Sequence, residues 1–231
     1  MTPRIEPVQP PYPPQVAERL AAMMPPGVPP ILLFRTFVRN LPMTAAMSGW
    51  GGYELSKRLS LSMRDREIVI DRTCARCRCE YEWGVHVAFF AERAGLSAAQ
   101  VTSLVYGGAG DPCWLSERDR LLIEAADALH EEADIGDELW GGLARELTEE
   151  QLLDLLMLAG WYHAISFTAN AARVAGEDGA PRFADVRRPG SLGPRARPPV
   201  VVFPAPFGPS SAKMCPRWTV RSMPRTACTS P

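Results

Sequence analysis

Between about residues 15 and 174 the apolar positions recur every three to four residues, the spacing of a single helix face. No run alternates apolar and polar residues for long enough to make a strand. The period predicts helices over 15–23, 30–39, 42–57, 63–75, 79–94, 98–106, 116–131, 136–146 and 149–174. Three of these carry their own start signals: Ser97 with Gln100, Ser116 with Asp119 and Thr148 with Gln151 each place a side-chain oxygen before the first turn and a polar or acidic partner three residues later. The fold class predicted is all-α.

Prolines divide the chain. They cluster in QPPYPP and MPPGVPP, so residues 1–29 read as a proline-rich arm that wraps a helical domain over 30–186. Residues 187–231 read as a Pro/Arg-rich disordered tail with no helical or strand period beyond VVVF. The tail's Arg, Pro, Ser and Ala bias is also what a GC-rich gene yields when read out of frame.

Charge sharpens this division. After Asp185 there are eight basic residues, ten prolines and no acid, and taking those eight charges from a total of −1 leaves about −9 on the part before. An acidic body without a basic, aromatic-bearing face argues against nucleic acid as its partner. MTPRIEPVQPPYPPQ lacks the apolar core of an export signal, and no uninterrupted apolar run reaches membrane-spanning length, so a cytoplasmic protein without a membrane partner is expected. In that compartment the six cysteines are expected as thiols, a redox site or metal ligands rather than a disulfide framework.

The candidate chemistry is concentrated in CARCRCEYEWGVH, residues 74–86. At about 100° per residue, Cys79, Glu82 and His86 share one helix face, because offsets of four and seven residues return to nearly the same direction. Cys77 and Cys74 point elsewhere on a continuous helix. Cys79 falls where the second helix begins, where the helix dipole would favour its thiolate, although a lone cysteine is equally a small buried apolar group. Cys74, Cys77, Cys79 and His86 count as four zinc ligands, but thirteen largely helical residues do not supply the two separated pairs of a structural site. No metal and no organic cofactor are expected.

REIVIDRTCARCRCEYEWGVHVAFFAERAGLS resembles the carboxymuconolactone decarboxylase family, which includes the alkylhydroperoxidase D-like proteins, over roughly residues 30–175. The redox members carry a glutamate, then C-x-x-C twelve residues on, then a histidine. That frame falls here on Glu67, Cys79, Glu82 and His86, with Glu82 in place of the second cysteine. A thiol with no resolving partner cannot complete a disulfide cycle, and EYEWGVH looks more like the decarboxylase branch. The resemblance implies an alkylhydroperoxidase D-like helical domain that forms homo-oligomers. It also implies an enzyme acting by Glu/His acid–base chemistry on a small carboxylate or carbonyl compound. His86 would carry the proton, and Glu82 and Glu67 would orient it. A thiol peroxidase acting through Cys79 and a non-catalytic ligand-binding scaffold are the alternatives.

Further candidates flank this site. Trp83 is an aromatic neighbour of the Glu82–His86 pair. His163, Ser166 and Asn170 form a polar stripe on the last long helix, read either as lining the same substrate pocket or as satisfied interhelical contacts. His130 ends an exposed helix, where solvation and a charge matched to the C-terminal dipole are expected.

Overall fold

The structure, a computed structural model, describes residues 2–186. Among these it contains ten helices and no strand: α1 (Pro14–Met23), α2 (Leu32–Phe37), α3 (Leu41–Glu54), α4 (Met63–Arg76), α5 (Glu80–Phe90), α6 (Ala98–Tyr106), α7 (Glu117–Glu131), α8 (Asp137–Glu146), α9 (Glu149–Ala172) and α10 (Phe183–Val186). The predicted tail lies outside the described residues.

Capping chemistry explains most boundaries. Ser97 with Gln100 and Thr148 with Gln151 form reciprocal capping boxes. Ser116 accepts from the Asp119 backbone N–H, but the Asp119 carboxylate is taken by Arg64 at 2.7 Å, so that box is one-sided. Ser62 and Asp65 form a further box at the start of α4. Helix α5 ends at Phe90, short of the expected 94, because residues 91–95 close a turn in which Leu96 N–H bonds the Ala91 carbonyl and Gly95 takes φ +67°.

Helix α4 is the hub, packed against α5, α6, α7 and α9. Ten consecutive residues, Asp65 to Cys74, are buried, half of them charged. Each charge but one has a partner. Asp65 meets Arg118, Arg66 meets Glu67, and Arg72 forks onto Asp127 while also bonding the Leu104 and Gly107 carbonyls. Buried ions are tolerated only with such pairing. Asp71 has no hydrogen-bond partner on either carboxyl oxygen, and burial followed by the nearby Glu67 pushes its pKa well above the usual range, which favours its neutral form.

The arm closes over the domain. Val16 and Leu20 of α1 pack on Val38, Val8 N–H bonds the Arg35 carbonyl, and Arg4 N–H bonds the Ala172 carbonyl at the end of α9. At the other terminus, residues 173–186 return across α5. Phe183 lies against Trp83 with ring centroids 5.0 Å apart, and a Cβ at Gly84 would sit 2.5 Å from the Pro181 carbonyl oxygen, so only glycine admits this crossing. Helix α9 is long and apolar enough by composition to cross a membrane, a length the sequence reading did not credit, but 56% of its apolar window is buried within the fold.

Candidate functional site

The geometry of the site begins with a turn. Cys77 caps α4, Arg78 takes the left-handed conformation at φ 54°, and the N–H groups of Arg78 and Cys79 bond the carbonyls of Ala75 and Cys74. These are the two bonds of a Schellman motif, formed here without glycine. The turn breaks CARCRC out of one continuous helix and lays α5 back along α4, so that Glu67 faces His86 across nineteen residues of sequence.

His86 is fully enclosed. Its Nδ1–H donates to Glu67 Oε2 at 2.8 Å, and its Nε2 lies 3.0 Å from Tyr162 Oη and 3.6 Å from Glu82 Oε1. Burial alone would lower the imidazole pKa, but Glu67 and Glu82 together outweigh it and raise the value to about 10. His86 is therefore an imidazolium, and its Nε2–H donates to Tyr162 Oη. Arg66 holds the other oxygen of Glu67 at 2.6 Å. Positive and negative groups alternate along Arg66, Glu67, His86 and Glu82, so the buried row is balanced in charge.

Beside this row lies a cavity of about 160 Å³. Its wall comes from α1 and the loop after it (Met23, Met24), α2 and α3, α5 and α9. The lining is largely apolar. The Thr44 and Ser48 hydroxyls donate to the backbone carbonyls of Phe37 and Thr44, at 2.7 Å each. Glu82 and Tyr162 are the ionisable groups on the wall with capacity for a ligand, and Glu82 Oε2 is buried without a hydrogen-bond partner. Among the described residues, no lysine or arginine lines the cavity. Gly51 sets its width, since a Cβ there would come 2.8 Å from the Trp161 ring.

The structure thus brings together Glu67, Glu82 and His86, with Glu82 rather than His86 on the cavity wall. It adds Tyr162, Arg66 and Asp71, which the sequence reading missed. Arg66 and Asp71 bracket Glu67 in REIVID, and Tyr162 was hidden among the apolar residues of α9. Cys79 is the N-cap of α5, but it is fully buried, and burial pushes its thiol up to about 12, overturning the expected helix-dipole thiolate.

The remaining candidates stand elsewhere. Trp83 is buried against Phe183 rather than on the cavity. The Ser166 hydroxyl is directed at Cys74 Sγ at 3.8 Å, and the Asn170 amide donates to the Cys77 carbonyl at 2.8 Å. His163 pairs with His130 at 3.0 Å. None of Trp83, His163, Ser166 and Asn170 lines the cavity, where α9 instead presents Trp161, Tyr162 and Ile165. His130 is half-buried rather than solvated, and burial, then His163 and Arg76, lower its pKa, so the expected charge at the end of α7 is not favoured.

No protein-family model and no curated protein sequence matches the chain. Solved structures do match in fold. The debrominase Bmp8, as a cysteine-to-alanine variant in complex with 2,3,4-tribromopyrrole, aligns with a TM-score of 0.62 at 16% identity over 77% of this chain and 94% of that one. An alkylhydroperoxidase AhpD core from Ralstonia eutropha JMP134, an uncharacterised peroxidase-related protein, gives 0.60 at 16% identity over 80% and 98%. A peroxidase-related protein from Silicibacter sp. TM1040 gives 0.58 at 16% over 67% and 81%. The chain has the alkylhydroperoxidase D-like fold.

Proposed function

We propose that this chain is an acid–base enzyme of the carboxymuconolactone decarboxylase type, acting on a small, mostly apolar carbonyl compound. The observation that carries this reading is Glu82. Its Oε2 is buried and unpartnered on the wall of an apolar cavity, while its Oε1 faces His86, which Glu67 and Glu82 keep protonated at neutral pH. Cavities of roughly 150 Å³ hold molecules of about the size of benzene, which bounds the substrate. The absence of a cation among the lining residues favours a neutral carbonyl over a free carboxylate.

In this reading Glu82 removes a proton from the carbon next to the carbonyl, and the electron pair moves onto the carbonyl oxygen. Tyr162 accepts from His86, so its own O–H is free to hydrogen-bond that oxygen. Return of the proton at a neighbouring carbon completes an isomerisation. A β-keto or lactone acid would have to keep its carboxylate toward solvent at the open side of the cavity, and loss of CO2 would then supply the same enolate. His86 and Glu67 hold Glu82 and Tyr162 in register and keep the buried charge balanced.

The thiol peroxidase reading has the described character of two fold neighbours in its favour, but a buried thiol held near 12 opposes it. A mere scaffold would gain nothing from a costly buried ionic row opening on a cavity. The test is solvent deuterium incorporation, followed by NMR, into small cyclic ketones, lactones and β-keto acids. Exchange that Glu82→Gln abolishes and Cys79→Ser spares supports the proposal. Peroxide consumption that needs Cys79, with no exchange, overturns it.

A further inference from the structure

On the far side of the cysteine turn a second cluster of donors forms, from three separate elements. Cys77 caps α4, His130 sits in the last turn of α7 and His163 in the middle of α9. Cys77 Sγ is 3.7 Å from His130 Nδ1, His130 Nδ1 is 3.0 Å from His163 Nε2, and all three donor atoms lie within 4.8 Å of one another. We propose that Cys77, His130 and His163 form a zinc site with one open coordination position.

The distances are those a tetrahedral ion requires. Zinc bonds of about 2.3 Å to sulfur and about 2.0–2.1 Å to nitrogen place S···N pairs about 3.6 Å and N···N pairs about 3.3 Å apart. Two of the three spacings match within a few tenths of an ångström. The third, between Cys77 and His163, closes by little more than about an ångström at most.

The tautomers are also arranged for it. His163 Nδ1–H donates to the Ala159 carbonyl at 2.8 Å, which turns the Nε2 lone pair toward the cluster, the outer hydrogen bond characteristic of ligating histidines. Without metal, His130 Nδ1–H donates to that lone pair. With metal, His130 keeps its proton on Nε2 instead, and the Cys77 thiol releases its proton to solvent. Arg76, a cation beside the cluster, is engaged by Asp127 and Glu131, so its charge is offset. Half-burial of all three residues leaves room for a water at the fourth position. A thiolate with two imidazoles suits zinc better than magnesium or calcium.

This site is separate from the Glu82 cavity and does not rest on its chemistry. The test uses the full chain, reduced, with Cys215 and Cys228 changed to serine, titrated with Co2+ as a spectroscopic stand-in for Zn2+. We expect one equivalent to give intense tetrahedral visible bands and a near-ultraviolet thiolate-to-cobalt band, both displaced by Zn2+, and Zn2+ to raise the melting temperature. Cys77→Ser should remove the thiolate band, and His130→Gln and His163→Gln should each weaken binding on the order of a hundredfold, whereas Cys113→Ser should change nothing. Circular dichroism on each variant verifies folding. Absence of the thiolate band, or its persistence in Cys77→Ser, would overturn the site and leave a metal-free histidine pair.

Discussion

Glu67 and His86, nineteen residues apart, are joined by a 2.8 Å hydrogen bond between buried partners, and this bond sets the protonation state of the site. Glu67 is the strongest of the influences that keep the imidazole charged. The first prediction follows from this. Replacing Glu67 with Gln keeps a hydrogen-bond partner and deletes the charge, so the His86 pKa falls from about 10. Activity that needs the imidazolium should be lost at high pH, and in Glu67→Gln that alkaline limb should move to lower pH. His86→Gln should cost on the order of a hundredfold in turnover, about 3 kcal/mol in the barrier. The pH–rate profiles of the wild type and Glu67→Gln test this, and an unmoved limb would separate Glu67 from the chemistry.

The same charge should be visible in stability. His86 titrates at about 10 in the folded chain against an ordinary 6.5. Between those values the folded state holds a proton that the unfolded state has lost, so the contribution of His86 to stability is full below about 6.5 and falls as pH rises toward 10. Glu54, raised by burial from 4.5 to about 7, adds a fall of the same sign at lower pH. Chemical denaturation at several pH values should show His86→Gln with a shallower fall between about pH 7 and 8, below the range where the buried Cys74 and Cys79 thiols add a fall of their own, while the fall below pH 7 is kept. Equal slopes in both proteins between about pH 7 and 8 would contradict the assigned charge.

How much of this the sequence revealed depended on the physics involved. Helix starts were legible because Ser97, Ser116 and Thr148 act locally, and their caps need no knowledge of the rest of the chain. The Glu67–His86 link was legible only through the family spacing. Periodicity cannot show that Arg78 takes a left-handed conformation, since most such caps carry glycine. Tyr162 was illegible because it reads as one more apolar residue of α9. His163 and Asn170 shared a face in the sequence pattern, but whether that face turns toward the cavity or toward α7 depends on packing across three helices. The pairing of His130 with His163 and Cys77 was hidden for the same reason.

Cys79 provides the third prediction. With its thiol pushed up to about 12 by burial, Cys79 is held as the unreactive thiol at pH 7. One equivalent of hydrogen peroxide should leave Cys79 unmodified over minutes, and Cys79→Ser should be nearly silent in turnover. Mass spectrometry of the treated protein decides this. Rapid formation of a Cys77–Cys79 disulfide, recycled by added thiol, would restore the peroxidase reading.

The last prediction concerns assembly, and it rests on the outer side of α9. Leu153, Met157, Gly160, Ala164 and Phe167 follow one another at intervals of four, three, four and three residues, and all are exposed. Leu153 is 64% exposed, Met157 50% and Phe167 60%, large fractions for apolar side chains on a helix whose opposite face is buried in the core. A four–three spacing is the seam along which one helix meets another, and the small Gly160 and Ala164 at its middle would let the two backbones approach. A second copy of this chain, presenting the same stripe about a two-fold axis, fits such a self-complementary surface. Light scattering at micromolar concentration should therefore report a particle of at least twice 25.4 kDa. The double variant Leu153→Glu with Met157→Glu places like charges across the seam and should reduce it to the monomer while leaving the helical circular dichroism intact. A wild-type chain that stays monomeric would reject the assembly, and a double variant that stays associated would move the interface off α9.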